Sequence, residues 1–91
     1  MTAYKRTRTE RRFWHEGVIG IPVGKEKSIP AHYWVKAYDE PSEYGIEDGR
    51  ISKMEVQING ETAIRYDRGW DVYPETEDAN LAYAILMQEY N

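Results

Sequence analysis

Cysteine is absent from the 91 residues, which rules out disulfides and thiolate–zinc clusters and fits a reducing cytosol. Long apolar runs are absent too. None approaches the length of a signal-peptide core or a membrane span, so a soluble, cytoplasmic protein is expected. No internal repeat and no low-complexity tract interrupts the chain. Histidine occurs only twice, as His15 and His32. What remains is ordinary globular composition, 41% hydrophobic and 31% charged. The length suits one domain that buries roughly 60–65% of the surface its unfolded chain exposes.

The net charge of −4 is unevenly spread. Residues 1–12 carry Lys5, Arg6, Arg8, Arg11 and Arg12 against Glu10 alone, whereas the rest of the chain holds 7 basic and 15 acidic residues. The reading is therefore a basic arm over 1–12 and a single acidic domain over 13–91. Such an arm either docks on a partner or folds back on its own domain.

Glycine and proline divide the domain into short runs that read as strands. The first is Arg12–Val23, in which Phe13, His15, Gly17, Ile19, Ile21 and Val23 share one parity. Gly17, Gly20 and Pro22 mark it as irregular, with a bulge or an edge position. A polar connection through Lys25 to Ser28 is closed by Pro30. The second run, Ala31–Asp39, sets Tyr33, Val35 and Ala37 on one face and Trp34, Lys36 and Tyr38 on the other. After a turn-rich loop over Glu40–Gly49, the third run, Arg50–Ile58, places Met54, Val56 and Ile58 on one side. Asn59-Gly60 then supplies the two positive-φ positions of a type I′ hairpin turn. The fourth run, Glu61–Asp67, sets Thr62, Ile64 and Tyr66 inward and Ala63 and Arg65 outward. Beyond Pro74, Ala79, Ala82, Tyr83, Leu86 and Tyr90 recur at helical spacing, and Thr76 precedes them as an N-cap. The expected fold is α+β: a four-stranded antiparallel meander with one C-terminal helix on one face.

One helix covers one side of such a sheet. The other side then presents Trp14, Val18, Trp34 and Tyr38 beside the charged residues of strands three and four. An apolar surface of that kind is an interface or is covered by other chain. The arm, through Tyr4 and the arginine stems, a second copy of the chain, and a heterologous partner are the three candidates.

Two stretches are richer than ordinary surface: Asp39–Lys53 and Tyr66-Asp67-Arg68-Gly69-Trp70-Asp71. Arg50 at the start of strand three is expected within reach of Asp67 or Asp71, where a guanidinium–carboxylate pair braces the loop. Arg68 and Trp70, with Arg50, Trp34 and Tyr38, are the candidate partner-binding residues, because arginine and tryptophan dominate binding hot spots.

The motifs Ser42-Glu43-Tyr44-Gly45-Ile46, Gly49-Arg50-Ile51-Ser52-Lys53 and Tyr66–Asp71, followed by an amphipathic helix, resemble a family of small uncharacterised proteins in Firmicutes genomes and their phages. The resemblance covers about Ala31 to Asn91 and leaves the first thirty residues as a variable lead-in. It implies a phage or mobile-element setting, in which short acidic proteins act as stoichiometric inhibitors of host defence, anti-CRISPR proteins among them.

Catalysis is not expected. His15 and His32 form no set with a nucleophile, and no Gly-rich phosphate loop precedes the helix. Asp39, Glu40, Glu43, Glu47 and Asp48 lack the ligand spacing of a calcium loop, and neither metal nor cofactor is expected. The function class is a non-enzymatic binding protein, with a protein partner carrying a basic groove in first place and a homodimer as a further possibility. The alternative is a nucleic-acid or signalling-nucleotide binder using Lys5, Arg6, Arg8, Arg11, Arg12 and the sheet aromatics.

Overall fold

The computed structural model describes residues 12–91; Lys5, Arg6, Arg8 and Arg11 of the basic arm, and the expectation that Tyr4 lies across the sheet, fall outside them. Five strands follow in chain order, β1 (Trp14–Pro22), β2 (Ser28–Ala37), β3 (Ile51–Ile58), β4 (Glu61–Asp67) and β5 (Trp70–Val72), and then one helix, α1 (Glu77–Tyr90). The strands form one antiparallel sheet in the order β1-β2-β3-β4-β5. The architecture is thus α+β with a meander and one helix, and the sheet has five strands where sequence reading gave four.

The additional strand is Trp70–Val72, expected as loop. It is three residues long, too short to show a period, and it joins β4 through the two-residue turn Arg68-Gly69. Arg68 sits there at φ 55°, and Asp67 N donates to Gly69 O at 2.9 Å. Asn59 and Gly60 take φ 54° and 79°, as the β3–β4 hairpin requires. Pro30 does not end the preceding connection but lies inside β2 opposite Gly20. It is one residue past the last β2–β3 pair, Ala31 opposite Ile58, so its missing N–H costs that ladder nothing.

Parity sorts the side chains onto two faces. Toward the helix lie Ile21, Ala31, Val35, Met54, Val56 and Ile64, all essentially inaccessible, and α1 meets them with Ala79, Ala82 and Leu86. Small residues on the helix stripe let it sit close to the sheet, while Tyr83, Met87 and Tyr90 fill the margins. Thr76 Oγ1 accepts from Ala79 N at 3.1 Å and starts the helix. A bulge corrects one expectation. Val56 faces Ile64 but Gln57 faces Thr62, so Ala63 is an extra residue that reverses parity. Ala63 therefore packs on the core, and Thr62 pairs with Gln57 on the other face. A second bulge, at Ser52, lies between the pairs Lys36–Lys53 and Ala37–Ile51. Ser52 is buried there, and its carbonyl accepts from Arg68 N at 2.9 Å.

The loop between β2 and β3 folds into a 3-10 turn, Ile46–Asp48, that inserts Ile46 into the core. Asn91, immediately after α1, clamps this loop. Its Nδ2 donates to Ile46 O at 3.1 Å and its Oδ1 accepts from Ile51 N at 2.9 Å. The closeness explains two glycines. A methyl on Gly45 would run into the carbonyl of Gly49, and one on Gly49 into the Asn91 carboxamide. Tyr66 OH donates to Tyr44 O at 2.8 Å and Tyr83 OH to Glu47 Oε2 at 3.2 Å, so two further side chains hold the loop from the sheet and the helix.

Asn91→Ala leaves two half-buried backbone groups without their partner, and the expected loss is about 1–3 kcal/mol. Thermal melting should read this as a fall in Tm of at least about 4 °C; an unchanged Tm would show that the clamp carries no stability.

Burial, and secondarily the Glu47 carboxylate, pushes the Tyr83 phenol up from its ordinary 10.0 to about 12. Burial, then the hydroxyl of Tyr33, raises Tyr90, and burial with Asp48 raises Tyr66. Each fold-state value lies above the unfolded one, so the neutral phenols favour the folded chain. For Tyr83 that contribution is complete below pH 10 and is lost as pH rises through about 12. Phenolate absorbance and Tm measured together across this range should show a late group of tyrosines titrating with unfolding, not eight equivalent ones.

Candidate interaction surface

The sheet face opposite α1 carries three cross-strand rows. Trp14, Lys36, Lys53 and Asp67 lie side by side across β1 to β4, and next to them Glu16, Trp34, Glu55 and Arg65. Val18, His32, Gln57 and Thr62 make the third row. Trp34 is therefore central, with rows on either side and charged neighbours on both adjacent strands.

The polar groups of this face are largely engaged with one another. His32 Nε2 and Glu16 Oε2 are 2.9 Å apart, Arg65 Nε donates to Glu55 Oε1 at 3.3 Å, and Gln57 Nε2 donates to Glu55 Oε2 at 3.0 Å. The His32 ring stacks on Trp34 at 4.2 Å between centroids, and Lys36 Nζ lies 5.9 Å above the Trp14 ring. Between Trp14, Trp34 and the β3–β4 side chains is a shallow depression of about 410 Å³. An aromatic centre ringed by side chains hydrogen-bonded to one another can give a partner both apolar area and directional contacts.

A second concavity, about 340 Å³, adjoins it at the end of β2 and includes Lys36, Tyr38, Tyr44, Lys53, Asp67 and Arg68. Arg68 extends its guanidinium over the Tyr44 ring at 5.8 Å, and Lys36 Nζ lies 5.4 Å from the Tyr38 centroid. Tyr38 is 38% exposed and Tyr44 55%. Tyr38 also packs on Phe13 at 4.8 Å. Arg12, the one described residue of the basic arm, pairs with Asp39 at 2.6 Å and covers Phe13. Both partners are exposed, and such a pair adds little stability.

The five residues singled out for partner binding thus separate. Trp34 belongs to the open face, and Tyr38 and Arg68 share the adjoining concavity. Trp70 is on the helix side, half-buried between Tyr66, Tyr73 and Tyr83, with its ring stacked on Tyr73 at 4.5 Å. It does not form one patch with Arg68. Arg50 does not brace Asp67 or Asp71: among the described residues its side chain enters no ion pair, and Lys53 Nζ approaches Asp67 at 3.8 Å instead. The Ala63 bulge is the reason, since it advances the β3–β4 register by one residue and sets Lys53 directly opposite Asp67. Lys53, Glu55, Arg65 and Tyr44 are the surface residues that sequence reading did not single out. Strand parity signals the first three as outward, but their pairing depends on a register that only the folded sheet fixes.

No group of three His, Asp or Glu side chains converges as a metal site among the described residues, and no helix there is long and apolar enough to cross a membrane. Among the described residues, fold and surface define a two-layer α+β domain whose second sheet face is not covered by the helix. Residues 13–91 match the family described as a domain of unknown function, DUF7678, and the chain belongs to it. The match begins at residue 13 and so takes in β1, ahead of the Ala31 at which the motif resemblance began. No curated protein and no solved structure matches the chain.

The strain at Arg68 gives a direct test. A non-glycine residue at φ 55° costs about 1 kcal/mol relative to glycine. Arg68→Gly should therefore keep or slightly raise Tm while stripping the guanidinium from Tyr44, whereas Trp70→Ala, which opens an aromatic cluster, should lower Tm by several degrees. A large loss from Arg68→Gly would mean the guanidinium braces the fold.

Proposed function

We propose that the chain is a non-enzymatic binding module that engages a protein partner through the sheet face opposite the helix, with Trp34 as its anchor. The observation that carries this reading is the place of Trp34, central on the face opposite α1, which no other described element covers, and surrounded by side chains hydrogen-bonded to one another. A partner need not strip unpaired ions from water to reach the ring, so the desolvation cost of docking is low. The adjoining concavity with Tyr38, Tyr44 and Arg68 extends the surface.

In its sharper form the proposal is a stoichiometric inhibitor in a phage or mobile-element setting. Its target is a host defence effector with a basic groove, a CRISPR nuclease for example. The excess of acidic over basic residues after residue 12 supports this form, because it complements a cationic groove and repels nucleic acid.

Affinity capture of the full chain from host lysate, with mass spectrometry of the eluate, tests the reading. A discrete protein should co-elute. Trp34→Ala should weaken its binding by about 2 kcal/mol, or roughly thirtyfold, at unchanged Tm. Tyr73→Ala, an exposed ring on the helix side, should bind like the parent. Retention that ignores Trp34, or an eluate holding only RNA or a nucleotide, would contradict the proposal.

A further inference from the structure

The two edges of the sheet are treated differently. β5 is three residues long, carries exposed Asp71 at its centre and is followed by Pro74, all features that discourage further pairing. β1 is nine residues long and has none of these along its middle. It pairs with β2 without a bulge, and its one acid, Glu16, is tied sideways to His32 rather than standing guard at the edge. Val18, at its midpoint, is 60% exposed.

The direction of the backbone groups follows from the β1–β2 connection. Val23 N donates to Lys27 O at 3.1 Å, and the register runs unbroken from there into Pro22 opposite Ser28. Hydrogen-bonded pairs alternate along an antiparallel ladder. The odd-numbered residues of β1 therefore bond to β2, and Glu16, Val18 and Gly20 aim their N–H and C=O groups outward. Pro22 falls in the same outward set, where its missing N–H takes nothing from the β1–β2 ladder.

We propose that this edge pairs with the same edge of a second copy, giving an antiparallel dimer centred on Val18 with both helices on one side of a continuous sheet. Symmetry supplies the argument for a second copy. Opposed residues of an antiparallel pair share a face, so the two-fold axis must pass through a residue, and the midpoint of β1 is one. With Val18 opposite Val18, Glu16 faces Gly20 and Gly17 faces Ile19, and only at the two ends, where Trp14 faces Pro22, is a donor missing. No two charges of one sign meet, and the exposed Val18 side chain is covered by its own copy. The inference does not rest on the partner reading, since the contact is made by the backbone edge, and Glu16 and Val18 are the residues that the edge shares with the face opposite α1.

Sedimentation and single-cysteine cross-linking of the full chain test it. The parent should self-associate with a dimer as the end point. Val18→Lys sets like charges face to face and should give a monomer with unchanged Tm and circular dichroism. The chain has no native cysteine, so introduced ones report alone. Val18→Cys should oxidise to a covalent dimer, because opposed Cα atoms of a hydrogen-bonded pair lie about 5.5 Å apart, within disulfide reach. Glu16→Cys should not cross-link by itself, but should do so when mixed with Gly20→Cys. A parent that stays monomeric at about 100 µM overturns the proposal. So does a dimer that survives Val18→Lys or cross-links through Glu16→Cys alone.

Discussion

A single helix cannot cover both faces of a five-stranded sheet, and most of this molecule follows from that constraint. The apolar residues of alternate parity converge on α1 and form the core. The opposite parity must live in water, against a partner or against another part of the chain, and the sequence there differs from an ordinary solvated face. It sets tryptophan on β1 and β2 and surrounds it with pairs such as Glu55–Arg65 and Glu16–His32. These pairs lower the cost of leaving the face open and the cost of covering it.

The helix is also what makes the long β2–β3 loop a defined object. Through Asn91 and Tyr83 its far end grips Ile46, Ile51 and Glu47, and Gly45 and Gly49 supply the close approach this needs. The loop backbone carries Tyr44 to a fixed place beneath Arg68, so core packing on one side of the sheet sets surface geometry at its end. Local strain at Glu47, Asp48 and Arg68, all at positive φ, is confined to the turns that build this corner.

Period and punctuation made much of this legible beforehand. Alternation placed Tyr33, Val35, Met54 and Ile64 inside and Trp34 outside, Asn59-Gly60 gave the hairpin, and helical spacing with Thr76 gave α1. Failures cluster where a single residue changes the count. Ala63 and Ser52 are bulges that no local propensity announces, and the one at Ala63 shifted two expectations: Thr62 left the core, and Lys53 came opposite Asp67, the place foreseen for Arg50. β5 escaped because three residues show no period, and with it the side of the sheet on which Trp70 lies. The Asn91 clamp joins residues forty or more positions apart through side-chain amide geometry, which no sequence pattern reports.

The central claim is that the face left open by the helix is the working surface. Hydroxyl-radical footprinting of the full chain, alone and in the complex recovered from host lysate, measures this side chain by side chain. Trp34 and Tyr38 should lose reactivity on complex formation, while Tyr73 and Leu81, exposed on the helix side, keep theirs. Protection of Tyr73 and Leu81 with Trp34 unchanged would place the interface on the wrong side of the sheet and contradict the account.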